Sequence, residues 1–101
     1  MNLLINIPVN LGDIVYSVQK FGEMAKLDTD DINEVKINSF SLNVDGIYIV
    51  DKNLDWWGFA DKMDMPISEP PNSMYAMYST LKNSEEAIRE WNRRIDEERN
   101  G

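Results

Sequence analysis

The residues of this chain whose types and spacing could do chemistry are its carboxylates. Asp28, Asp30, Asp31 and Glu34 crowd into the run DTDDINE, and Asp51, Asn53 and Asp55 stand at alternate positions. Either stretch invites a calcium loop, which needs an oxygen donor at its fifth position, glycine at its sixth and glutamate at its twelfth. Counted from Asp28, those positions hold Ile32, Asn33 and Ser39; counted from Asp51, the sixth and twelfth hold Trp56 and Lys62. Neither count completes the loop, so no metal site is expected. Two carboxylates flanking a sugar, with Trp56 or Trp57 stacked on it, could hydrolyse a glycoside. Nothing in the sequence pairs one acid with one base, and the chain contains neither histidine nor cysteine. That removes the usual base near neutral pH, the Ser-His and Cys-His nucleophiles, and zinc-thiolate sites. The expectation is a protein that is not an enzyme and carries no cofactor.

Charge offers a different chemistry. The net charge is −8 over 101 residues, and it is concentrated in the middle: residues 28–69 hold Asp28, Asp30, Asp31, Glu34, Asp45, Asp51, Asp55, Asp61, Asp64 and Glu69 against Lys36, Lys52 and Lys62. Such a surface disfavours nucleic acid and acidic membranes and steers association toward basic partners. Carboxylates spaced along loops and strand edges can imitate nucleic-acid phosphates before the Arg and Lys groups of a protein that grips DNA or RNA. The same segment contains Trp56, Trp57 and Phe59. Two readings stay open for these rings: they cap the open end of a barrel, or at least one is exposed as a protein-binding anchor ringed by Asp55, Asp61 and Asp64.

The elements that must position these groups begin with residues 35–51. Asp45-Gly46 lies between two alternating apolar runs and suits a two-residue type I′ hairpin turn. That turn sets Val44 opposite Ile47 and Leu42 opposite Ile49. Val35 and Ile37 are in odd phase whereas Phe40, Leu42 and Val44 are in even phase, so a bulge is expected around Asn38-Ser39. Alternation predicts further strands over residues 1–7, 14–18 and 74–80, with an exposed loop over 22–31. Residues 52–73 read as a long loop or insertion, in which Trp56, Phe59, Ala60 and Met63 have the spacing of a short helix over about 54–63. A helix is expected over 83–99, with Asn83 as N-cap, Glu86 completing a capping box, Glu85 before Arg89 and Glu90 before Arg94, and Ala87, Ile88, Trp91 and Ile95 as its apolar stripe. The fold class is therefore α+β: a single domain with a small bent antiparallel sheet or partly open barrel of about five strands and one C-terminal helix. No apolar run approaches the roughly 20 residues that span a bilayer, and no signal-peptide pattern is present, so the expected place is the cytoplasm.

Three stretches carry a family likeness. Gly12-Asp13-Ile14-Val15-Tyr16, the turn Asp45-Gly46-Ile47-Tyr48-Ile49, and Tyr78-Ser79-Thr80 leading into Ser84-Glu85-Glu86-Ala87-Ile88 together resemble the small proteins encoded by phages and prophages of low-GC Gram-positive bacteria. In those, a Gly-Asp-x-Val-Tyr strand start, a few barrel strands and a Thr-x-x-Glu-Ala helix start recur in order. The likeness covers about half the chain. It departs in two places: five residues separate Thr80 from Glu86, and residues 52–73 look inserted. The size and acidity are similar to phage inhibitors of host defence, including anti-CRISPR proteins. The resemblance thus implies an inhibitor acting in the bacterial host cell on a nucleic-acid-binding CRISPR effector nuclease, with no direct contact to nucleic acid or membrane. The expected contact residues are Asp28, Asp30, Asp31, Glu34, Asp55, Asp61 and Asp64 for charge, with Trp56 and Trp57 as anchors. The alternative is a small phage structural or accessory interaction module that oligomerises through its sheet edge.

Overall fold

A computed structural model describes residues 7–19, 25–67 and 75–100. The strand expected over residues 1–7 falls outside these, except for Ile7. Six strands and a helix follow in order: β1 (Ile14–Gln19), β2 (Ile32–Lys36), β3 (Ser39–Asn43), β4 (Gly46–Val50), β5 (Trp56–Phe59), β6 (Tyr75–Tyr78) and α1 (Leu81–Asn100). They form two antiparallel three-stranded sheets, ordered β2-β1-β6 and β3-β4-β5. The class is α+β, with no closed barrel among the described residues; these hold six strands, where the sequence predicts about five in the whole chain with the one over 1–7 included.

The first sheet is buried on both faces, which alternation alone could not reveal. Val15 and its cross-strand partner Val35 point into one core with Ile37, Ile47, Ile49, Ala60 and Met77. Val18, one face over, joins Tyr78, Ile88, Trp91 and Ile95 in a second core. The sheet therefore lies between α1 and the second sheet. Ile88, Trp91 and Ile95 recur at the helical period, so they supply the stripe that α1 lays on it. The Trp91 indole N–H donates to the Ala25 carbonyl at 2.9 Å, so its buried polar tip is satisfied. Asn92 fixes the neighbouring backbone at both ends of Leu27: its amide oxygen accepts from the Leu27 N–H and its amide nitrogen donates to the Leu27 carbonyl, each at 2.8 Å.

The helix begins earlier than expected. The Thr80 hydroxyl accepts the Asn83 N–H at 3.1 Å, which makes Thr80 the N-cap and Asn83 the third helical residue. The Asn83 side chain is thereby free to donate to Asp64. The expected ion pairs also differ. Glu90 and Glu97 both take Arg93, while Arg94 lies over the Trp91 ring, 5.7 Å from its centroid.

The phase fault at residues 37–38 is a corner between the sheets, without the extra ladder residue of a bulge. The Ile37 N–H bonds the Asp13 carbonyl beside β1, and the next N–H, from Asn38, bonds the Val50 carbonyl of β4. In the hairpin, Asn43 pairs with Gly46 and Leu42 with Ile47, so Val44 and Asp45 form the turn. Neither has a positive φ, which rules out the type I′ geometry. Gly46 is needed inside the strand: its φ is +146°, and an added Cβ would sit 2.7 Å from the Phe59 ring. The shift keeps every residue on its expected face.

Candidate functional site

The segment expected as a helix is strand β5 followed by a 3-10 turn, Ala60–Lys62. Phe59 pairs with Tyr48, Gly58 with Ile49, and Trp56 with Val50, leaving Trp57 as an extra residue. Regular alternation from Phe59 would set Trp57 on the Tyr48 face. The bulge reverses that order. Trp57 packs half-buried against the inter-sheet core, and its indole N–H donates to Asp51 Oδ2 at 2.8 Å. Trp56 instead joins the outer face, 48% exposed.

The outcome is a row of rings on the outer face of the second sheet. Trp56 and Tyr48 have centroids 4.8 Å apart, Tyr48 and Phe59 4.4 Å, both tilted by 35°. Lys62 Nζ sits over Phe59, 4.3 Å from the centroid. At that end Asp61 Oδ1 accepts the Ile47 N–H at 3.2 Å, leaving its other oxygen to solvent. At the other end Asp55 directly precedes Trp56, and its exposed carboxylate has no partner among the described residues.

The remaining predicted acids are placed elsewhere. Asp28 caps the 3-10 turn Thr29–Asp31 by accepting the Asp30 N–H, while Asp30 and Asp31 are exposed beside it at the start of β2. Glu34 stands on β2 opposite Tyr16 and lines a groove of about 380 Å³ shared with Trp57, Asp51, Lys36 and Lys52. Asp64 is already engaged: it adopts φ +60° and accepts from the Ser79 N–H at 2.9 Å, the Ser79 hydroxyl at 2.7 Å and the Asn83 amide at 3.2 Å. Asp64 is anchored at Asn83 and the Asp28 segment at Asn92, so about 14 Å of helix separates them, at roughly 1.5 Å per residue. The acids therefore form separate groups, and only Asp55 and Asp61 stand by the rings.

Two structural carboxylates escaped sequence reading in their true role. Asp51, considered above as a first calcium ligand, accepts from the Asn53 N–H, the Asp55 N–H and the Trp57 indole, and so builds the turn that launches β5. The Trp57 hydrogen bond above all holds its carboxyl below the usual carboxylate range. Burial raises the Asp64 carboxyl, but the hydrogen bonds from Ser79 and Asn83 outweigh it and bring it below that range. Glu90 is lowered chiefly by its hydrogen bond from Arg93. Tyr78, whose phenol donates to the Met65 carbonyl at 2.7 Å, is pushed up by burial and then by the nearby Asp64 charge. Each of these shifts carries its group further from neutrality, the opposite of what acid–base catalysis at pH 7 requires. A second groove, about 490 Å³, runs between α1 and residues 64–67 past Tyr78, Trp91 and Arg94. Among the described residues no group of three or more Asp or Glu side chains could hold a metal ion, and no helix is long and apolar enough to cross a membrane. No family model, curated protein or solved structure matches the chain.

Proposed function

We propose that this chain is a non-enzymatic binding protein that docks on a basic, nucleic-acid-binding surface of a bacterial protein, and inhibits it. The observation that carries the reading is the half-exposed Trp56 on a ring row with Asp55 and Asp61 beside it, in a chain of net charge −8. A large aromatic within a polar rim is the usual composition of an energetic hot spot. The carboxylates of Asp30, Asp31 and Asp64 all add long-range attraction, and Asp64 offers less direct hydrogen bonding to a partner because its oxygens are already engaged. The likeness to phage proteins makes a CRISPR effector nuclease the first partner to try.

The experiment is a pull-down from a bacterial host lysate followed by a DNA-cleavage assay with the purified nuclease recovered. The chain should slow cleavage, and Asp55→Lys with Asp61→Lys should abolish the effect. Asp30→Lys with Asp31→Lys should slow association, more so at low salt, where charges act over longer distances. Inhibition unchanged by all four reversals would end the proposal.

A second reading, a self-associating phage component, is favoured by one observation. At the β3–β4 turn Leu42 is 69% and Val44 97% exposed, and β3 carries no charged residue to guard its edge. Sedimentation separates the two: a stable homo-oligomer without affinity for nucleases favours the second.

A further inference from the structure

The ring row already holds one cation. Lys62 places its ammonium over Phe59 while its nitrogen also donates to the Asp45 carbonyl at 3.4 Å. At the opposite end Trp56 has the larger and more electron-rich face, and no cation of the described residues lies over it. Indole binds cations better than the other rings do. Tyr48 backs the Trp56 ring from one side, so the ring is held in place before any partner arrives. Bulge geometry sets that orientation, since it turns Trp56 outward against the normal alternation.

We infer that the Trp56–Tyr48 pair is a seat for an arginine side chain of the basic partner, with the guanidinium stacked on Trp56 and its N–H groups directed to the Asp55 carboxylate. This rests on the binding role proposed above and names the group it recognises. Arginine fits better than lysine for two reasons. Its planar, weakly hydrated guanidinium stacks on an aromatic face, and it can still present a two-pronged fork to a carboxylate at its edge. Asp55 directly precedes Trp56 in the chain, and its exposed carboxylate has no partner among the described residues, so it is open to the second contact the proposal assigns it. A lysine can satisfy the ring or the carboxylate but lacks the fork.

The test uses three capped peptides of glycine and serine carrying three arginines, three lysines or three citrullines. Binding to the intact chain and to each variant is followed through the backbone amide signals around position 56 in NMR titrations, with the Trp56 indole N–H as a further signal in the parent. The arginine peptide should bind more tightly than the lysine peptide, and about two- to five-fold more tightly than the citrulline peptide, the range an exposed cation–π contact supplies. Citrulline keeps the planar shape without the charge and should bind weakest. Trp56→Leu preserves apolar bulk on the strand and should bring the arginine peptide down to the lysine level, with Trp56→Phe between; an unchanged dispersion of backbone signals shows that each variant is folded. Equal binding of arginine and citrulline, or an arginine preference that survives in Trp56→Leu, overturns the seat. Failure of the nuclease assay alongside an intact arginine preference would count against the proposed partner and leave the seat standing; loss of the preference with inhibition intact would do the reverse.

Discussion

Asp64 holds three elements in one place, so replacing it tests the fold at a single atom pair. Its backbone N–H bonds the Met77 carbonyl, and its carboxylate gathers the Ser79 N–H, the Ser79 hydroxyl and the Asn83 amide where β6 hands over to α1. A hydrogen bond to a charged group is worth about 1.5–3 kcal/mol when sheltered, but Asp64 is solvent-accessible, so about 2 kcal/mol for the three together is the reasonable scale. Its backbone has φ +60°, where a side chain with a Cβ costs about 1 kcal/mol relative to glycine. Asp64→Ala should therefore lose about 2–3 kcal/mol in urea unfolding, and Asp64→Gly about 1 kcal/mol less than that. Asp64→Asn tolerates the left-handed backbone and keeps one acceptor, so it should lose about 1 kcal/mol. The carboxyl titrates below its ordinary value of 3.8 in the folded chain. Its contribution is thus complete well above that value and disappears as pH falls through the lower, folded pKa. Asp64→Asn should flatten that part of the acid limb. An alanine variant within 0.5 kcal/mol of the parent, or a glycine variant no better than alanine, would refute the reasoning.

Asn92→Ala breaks both hydrogen bonds to the Leu27 backbone and should cost about 2 kcal/mol by denaturant unfolding, with earlier hydrogen exchange at the Leu27 amide. The Ser17 hydroxyl is fully buried on β1 without a hydrogen-bond partner among the described residues, so Ser17→Ala should be neutral or stabilise by up to about 1 kcal/mol in the same assay. In an alkaline ultraviolet titration Tyr78 should resist ionisation as pH passes the ordinary phenol value of 10.0. Because its folded pKa is raised, its stabilisation is complete below the ordinary value of 10.0 and lost as pH climbs toward the folded one. Tyr78→Phe should remove that part of the alkaline limb.

Much of this architecture can be read from the residues, and the misreadings have physical causes. The strands β1, β3, β4 and β6 and the helix are present where the sequence pattern puts them, and the stripe Ile88, Trp91, Ile95 and the inward Ile47 and Ile49 of β4 are a direct imprint of burial. Strand β5 was disguised as a helix. With one extra residue in a strand, side chains three apart share a face, so Trp56 and Phe59 reproduce helical spacing without a helix. Asp45-Gly46 misled in a related way, since Gly46 answers to the Phe59 ring pressed against it more than to the turn. Of the candidate site, the clustering of Asp55, Trp56 and Asp61 in one segment was legible from the sequence. That Asp51 and Asp64 spend their oxygens on N–H and O–H donors depends on turns that bring distant residues together. Asn92 left one clue: an amide side chain in mid-helix is a poor helix former and needs a reason to be there.

The most direct measurement is the indole region of an NMR spectrum recorded as the recovered basic protein is added. Three tryptophans give three indole N–H signals: Trp57 and Trp91 are committed to Asp51 and Ala25, and Trp56 stands on the outer ring row. If the ring row is the binding face, the Trp56 signal moves on complex formation while the other two stay. A complex that forms with Trp56 unmoved would contradict it.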